Sequence, residues 1–492
     1  HKPSNEPMLN VYPDSLGGDL STLVAVMKKP ELQGAFSSMY ILPSLFNTDL
    51  DRGFSVISYD LNERLASERD LEELRKLGID LKLDFILNHS SVLSKEFQDI
   101  LKNGHNSRYK DFFINWNSFW EGHGEMNAAG YVEPRKEMIQ DMFFRKPGLP
   151  ILMVRFPNGE QVPYWNTFYQ SVTYPKLDPQ DIMQLTDLQY QWAKEVARDV
   201  NDALGKGVKP QQIDLGDFQA HLDVIVEYLE SQRKYLGQMD LNIHSPLVWS
   251  FYEDVLETLA GYGAKIVRLD AFAYAPKEPG ARNFLNAPGT WTLLEKVQGL
   301  ADKHGLQLLP EIHASYAEKT YETIAEKGYR TYDFFLPGLL IDALESGDGK
   351  RLKDWADEIL EKKMQVINML GCHDGIPLLD LKGLLPEERI EGLIDTIVAR
   401  GGMVKNLHGQ KNVYYQVNAT YYSALNEEDD KMLMARAIQL FMPGKPQVWY
   451  LDLFAGVNDE EAVKKAGPDG HKEINRTNLS LEDIEVALAK PV

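Results

Sequence analysis

Lys265-Ile266-Val267-Arg268-Leu269-Asp270-Ala271 is a short apolar run that delivers an arginine and an aspartate at its end. It is too short for a helix of ordinary length and reads as a buried strand over 265–269. Arg268 and Asp270, two residues apart, fall on the same side of such a strand, where the guanidinium favours the ionised carboxylate. Comparable runs recur at 39–43, 80–87, 306–310, 331–335, 365–370 and 447–450, separated by stretches of helical spacing. Strand and helix in alternation argue for βα units and a parallel sheet. The number of units, with no glycine-rich phosphate fingerprint, favours a (β/α)8 TIM barrel over an open doubly wound sheet.

Residues suited to chemistry stand directly after these runs. They are His89 in Asp84-Phe85-Ile86-Leu87-Asn88-His89, Asp270, Glu311 in Leu309-Pro310-Glu311, and Asp374 in Cys372-His373-Asp374-Gly375. In a barrel such positions converge on the C-terminal face, where the βα loops build a site. Asp270 and Glu311 then suit a retaining glycosyl transfer, with one carboxylate as nucleophile and the other as acid and then base, roughly 5–5.5 Å apart. That chemistry asks for a charged Asp270 and a protonated Glu311 near neutrality, so the surroundings of Glu311 are expected to raise its pKa. Asp374 and His373 offer partners for sugar hydroxyls and a charge that stabilises a cationic anomeric carbon; His89 offers a further donor. Taken singly, each residue has a plainer reading as a structural ion pair, a solvated carboxylate or a packed histidine. Their order and their repeated placement at strand ends carry the argument.

Composition narrows the partners. The 492 residues, 43% hydrophobic, suffice for a large core, while 73 acidic against 52 basic residues give a net charge of −21. Such a charge disfavours nucleic acid and anionic membranes, leaving a small-molecule sugar and inorganic phosphate as the expected partners. Cys372, the single cysteine, allows no intrachain disulfide, and no apolar run reaches membrane-spanning length, so a cytoplasmic monomer or homodimer is expected. Neither metal nor cofactor is expected, since two carboxylates need no Lewis acid and no clustered His/Cys motif is present.

Residues 8–90 and 241–492 are assigned to the barrel, with an inserted irregular domain at 91–175 after the third strand and a helical insertion at 176–240. In the latter, Leu185, Leu188, Trp192, Val196 and Val200, then Phe218, Leu222, Ile225 and Leu229, fall at helical spacing on either side of Gly205-Lys206-Gly207. The last helix of the barrel is expected to be cut short and any C-terminal β domain to be absent.

The motifs at Asp84–His89, Arg268–Asp270, Glu311 and His373–Asp374 together resemble the α-amylase superfamily of glycoside hydrolases. The resemblance implies Asp270 as nucleophile, Glu311 as acid/base and Asp374 as transition-state stabiliser. Tyr12-Pro13-Asp14-Ser15-Leu16, Ile41-Leu42-Pro43, Asp51-Arg52-Gly53-Phe54, His373-Asp374-Gly375-Ile376-Pro377, Tyr415-Gln416-Val417-Asn418 and Ile474-Asn475-Arg476 look like the sucrose phosphorylase branch. By that likeness Asp51, Phe54, His89, Arg268, His373 and Arg476 line the glucosyl subsite, with Tyr415 and Gln416 also binding substrate. The implied activity is double-displacement phosphorolysis of sucrose or a related α-glucoside to α-glucose 1-phosphate.

Three departures bear on the acceptor. Phe144-Arg145-Lys146-Pro147-Gly148 stands where sucrose phosphorylases have an Arg-Pro-Arg-Pro-Gly-like loop, and an arginine like Arg145 resembles the sucrose 6-phosphate phosphorylases instead. Tyr415-Gln416 is the plain-sucrose pattern. The loop from Lys405 to Asn412 is short and carries His408 and Lys411, which with Arg145 and Lys146 form a candidate phosphate and acceptor site. The helical insertion is the third departure. Sucrose 6-phosphate phosphorolysis, hydrolysis or transglucosylation on the same fold, and a catalytically silent sugar-binding module are the alternatives.

Overall fold

A computed structural model describes residues 4–406 and 414–490, without the side chains of residues 51, 405, 406, 414 and 415. Eight parallel strands form the main sheet. They are β1 (Met8–Val11), β2 (Ser38–Ile41), β3 (Asp80–Ile86), β4 (Ala264–Asp270), β5 (Gln307–Pro310), β6 (Thr331–Asp333), β7 (Val366–Met369) and β8 (Lys445–Trp449). Their order, β5-β4-β3-β2-β1-β8-β7-β6, makes a nearly closed (β/α)8 barrel. All seven strands read from the sequence are present, each within two residues at either end. β1 went unread because Met8-Leu9-Asn10-Val11 is only four residues long and is broken by a polar Asn10 that turns out to be fully buried.

The barrel interior is polar where branched apolar side chains are the rule. Tyr40 Oη donates to Asp84 Oδ2 at 2.6 Å, and Lys82 Nζ donates to Gln447 Oε1 at 2.6 Å and to the Tyr332 hydroxyl. Buried groups of this kind are tolerable because they are paired. Outside the strands, helices supply the apolar shell, for example Leu336, Leu339 and Leu340 against Trp355, Ile359 and Ile397.

Contacts divide the chain into two compact units, one of residues 1–88, 140–148 and 243–492, the other of 89–139 and 149–242. In the second unit His89–Ser91, Lys234–Asp240 and Gln170–Thr173 form an antiparallel sheet, and Trp116, Trp120 and Trp165 cluster. Its helices Tyr190–Gly205 and Leu222–Gln232 bury Val196, Val200, Ile225 and Leu229. Trp192 departs from the apolar stripe expected of it and is 44% exposed. The helix begins only at Tyr190, after a break at 186–189, and the new start turns Trp192 outward.

Candidate active site

Register sets the position of the two carboxylates. Leu269 of β4 lies opposite Pro310 of β5, and the ladder runs on as Glu311 N–H donates to Leu269 C=O at 3.2 Å. Asp270 and Glu311 thus leave neighbouring strands at the same level. Neighbouring parallel strands lie about 4.8 Å apart, so the two side chains leave the sheet side by side. Arg268 spans the pair, with one terminal nitrogen 3.0 Å from Asp270 Oδ1 and the other 3.7 Å from Glu311 Oε2. It is itself held from β3, opposite Asp84, whose Oδ1 lies 2.7 Å away.

Burial pushes the Asp270 carboxyl up to about 8; Arg268 opposes the shift, and the carboxylates of Glu311, Asp84 and Asp374 reinforce it. Burial also raises Glu311, but Arg268 and a hydrogen bond from His313 outweigh it and hold Glu311 below the ordinary carboxylate range. The sequence reading gave the charge to Asp270 and the proton to Glu311. Burial favours the proton on Asp270, while Arg268 and His313 favour the charge on Glu311, the reverse of that expectation. One proton on the pair is still the number the reaction needs, and its passage to Glu311 yields the productive form.

His313 escaped the sequence reading although it stands only two positions after Glu311. Its Nε2 lies 3.3 Å from Glu311 Oε1 and its Nδ1 3.2 Å from Asp380 Oδ2. Lys472 was missed as well: its Nζ lies 2.8 Å from Asp374 Oδ1, while His373 Nε2 lies 3.2 Å from Asp374 Oδ2. Burial raises the Asp374 carboxyl, yet His373 and Lys472 leave it well below the usual range. Asp374 is therefore an anion at any pH near neutral.

The remaining candidates divide into those the structure gathers here and those it does not. Phe54 stacks on His373, centroids 4.9 Å apart and planes within 16°, and Arg476 Nε donates to His373 C=O at 3.0 Å. Gln416 Oε1 accepts from Gly375 N–H at 3.0 Å, where a Cβ on Gly375 would meet Gln416 Cβ at 2.8 Å. A pocket here is lined by Arg268, His313, Phe334, His373, Asp374 and Gln416. Asp51 begins the single turn Asp51–Gly53 just before Phe54. His89 belongs to the second unit, buried beside Phe168 at 4.8 Å. Asn88, its neighbour, accepts from Lys277 Nζ at 3.0 Å.

Arg145, half-buried, and Lys146, exposed, lie on the loop 140–148 that groups with the barrel. That loop is tied to the segment after β4, since Phe143 N–H donates to Asn283 Oδ1 at 2.9 Å and Phe143 C=O accepts from Asn283 Nδ2 at 2.7 Å. His408 and Lys411 lie outside the described residues, as do the side chains of Asp51 and Tyr415.

Two carboxyls at the ends of adjacent strands, bridged by one arginine, are the kind of pair that glucosyl transfer through a covalent intermediate calls for. No protein-family model matches the chain. It is 51% identical to the sucrose 6(F)-phosphate phosphorylase of Ilumatobacter coccineus, over 99% of this chain and 85% of that protein. To the sucrose phosphorylase of Streptococcus mutans it is 30% identical, over 99% and 85%. The crystal structure of sucrose 6F-phosphate phosphorylase from Thermoanaerobacter thermosaccharolyticum superposes with a TM-score of 0.78 at 33% identity, covering 100% of this chain and 84% of that one. With strand-end carboxylates, barrel and relatives in agreement, the chain belongs to the glycoside phosphorylases of the sucrose phosphorylase and sucrose 6(F)-phosphate phosphorylase family, within the α-amylase superfamily.

Proposed function

We propose that this phosphorylase cleaves the α-glucoside of a phosphorylated fructose, sucrose 6F-phosphate, with inorganic phosphate as glucosyl acceptor and α-glucose 1-phosphate as product. The observation that carries the chemistry is Arg268 reaching both Asp270 and Glu311 at the ends of adjacent strands. Asp270 attacks the anomeric carbon, the bond to the fructosyl oxygen breaks, and Glu311 gives that oxygen its proton. An oxygen of phosphate then attacks the same carbon, Asp270 leaves, and Glu311 recovers a proton. Two inversions at one carbon give retention. Asp374, anionic and facing the cavity, stabilises the positive charge that develops in both steps.

Support for the phosphorylated acceptor comes from Arg145 and Lys146 on a loop held by Asn283, and from the names of the I. coccineus and T. thermosaccharolyticum proteins. Each charge-assisted hydrogen bond to a phosphate contributes roughly 1.5–3 kcal/mol, about tenfold or more in acceptor preference. Plain sucrose is the second reading, favoured by Tyr415-Gln416 and by the fixed place of Gln416 against Gly375. The test is glucose 1-phosphate release from sucrose 6F-phosphate and from sucrose, by the protein and by Arg145→Ala. The substitution is expected to depress kcat/KM for the phosphosugar at least about tenfold more than for sucrose. Equal losses on both sugars would return Arg145 to a general phosphate or packing role and leave plain sucrose as the substrate.

A further inference from the structure

We propose that Asp380 is a positioning residue for the acid/base step, acting through His313 to fix the orientation and proton affinity of Glu311. The inference rests on Glu311 being the acid/base. Glu311, His313 and Asp380 form a chain of carboxylate, imidazole and carboxylate, with contacts of 3.3 and 3.2 Å. Their side chains are 14%, 13% and 8% exposed, so water screens these contacts little. The imidazole lies flat on Phe334, centroids 3.9 Å apart and planes within 20°, which keeps its two nitrogens in line with the two carboxylates. Asp380 is carried by the single turn Leu379–Leu381, shortly after the His373–Pro377 motif, so the turn that follows one part of the site steadies another.

The arrangement answers a difficulty in the chemistry. An imidazole with a carboxylate on each side carries a proton on both nitrogens; burial opposes that charge, but the hydrogen bonds to Asp380 and Glu311 outweigh it and push His313 up to about 10. The imidazolium lowers Glu311 even with Asp380 in place, and without Asp380 it would lower Glu311 further and weaken it as an acid. Asp380 compensates that charge and returns proton affinity to Glu311. Among the described residues Glu311 also faces Arg268, Asp270 and Asp374, and the charged groups that act most on His313 are Glu311 and Asp380. None of those other charges changes when Asp380 is replaced, so loss of its negative charge lowers the proton affinity of Glu311 and His313 alike.

Asp380→Asn keeps the shape and removes the charge. The alkaline limb of kcat/KM for sucrose 6F-phosphate, or for sucrose should that be the better donor, is expected to move to lower pH by on the order of one unit. With α-glucosyl fluoride, whose leaving group needs no proton, the loss at pH 8 is expected to stay within about twofold, against roughly tenfold for the natural donor. Asp380→Glu restores the charge and should restore the profile. Superimposable profiles for Asp380→Asn and the unaltered protein, or equal losses on both donors, would overturn the proposal. Should Asp380→Asn fail to fold, nitrogen NMR of His313 in the unaltered protein decides: protons on both ring nitrogens at pH 8 support it, and a neutral imidazole overturns it. Glu311→Gln separates this from the underlying reading. Selective loss of the natural donor upholds Glu311 as the acid, whereas undiminished use of both donors removes that role whatever Asp380 does.

Discussion

Asp270 and Glu311 share one guanidinium but differ in what else touches them, and the difference sets how the pair behaves with pH. Asp270 is buried beside three further carboxylates and keeps its proton up to about 8, whereas Glu311 has His313 as a cationic neighbour. The last proton of the pair therefore leaves near 8. Above that pH no acid remains for the departing alcohol, and kcat/KM for the glucosyl donor should fall as pH rises through this value. A profile level to pH 10 would contradict the pairing. Asp270→Asn removes the nucleophile used in both displacements and should lower turnover roughly 10^4-fold or more in a glucose 1-phosphate assay; near-normal activity would exclude the assignment. The three carboxylates and Arg268 were legible because each stands at or shortly after the end of an apolar run, within its own motif. His313, Asp380 and Lys472 were not. Their contacts span 67 residues for His313 with Asp380 and 98 for Lys472 with Asp374, and only the barrel's closure brings such positions together.

Elements hold these residues through a few backbone constraints. The turn Asp51–Gly53 places Phe54 against His373, and Arg52 bolts the turn to the C-terminal segment by donating to Arg476 C=O at 2.7 Å. Gly53 has φ +125°, and a Cβ there would meet Ser44 N at 2.3 Å and Pro43 C at 2.7 Å. Backbone cannot yield as a side chain would. Gly53→Ala is therefore expected to cost about 1–3 kcal/mol of stability and to raise KM for the donor through displacement of Phe54, measurable by thermal melting with steady-state kinetics. An unchanged melting temperature would refute the tight approach. Sequence periodicity found the long strands and the two longer helices of the 176–240 stretch, where burial repeats regularly, but not the separate short helix Pro179–Leu185. It overlooked β1, whose polar Asn10 faces no solvent, and it carried the apolar stripe through Trp192 across a helix break that local spacing does not reveal.

At the scale of the whole molecule, a chain of net charge −21 that takes phosphate as a substrate needs local positive charge at its site. Arg268 and Lys472 are paired to Asp270 and Asp374, while Arg145 and Lys146 lie on a loop of the barrel unit. Among the described residues no helix is long and apolar enough to cross a membrane. What joins barrel, register and charge is one claim, that the glucosyl group passes from donor to Asp270 and from Asp270 to phosphate. Proton NMR of a reaction mixture containing sucrose 6F-phosphate, inorganic phosphate and the protein reads the anomeric configuration of the first product formed. α-Glucose 1-phosphate, absent when phosphate is withheld, is the expected result; β-glucose 1-phosphate, or free glucose formed equally with and without phosphate, would contradict it.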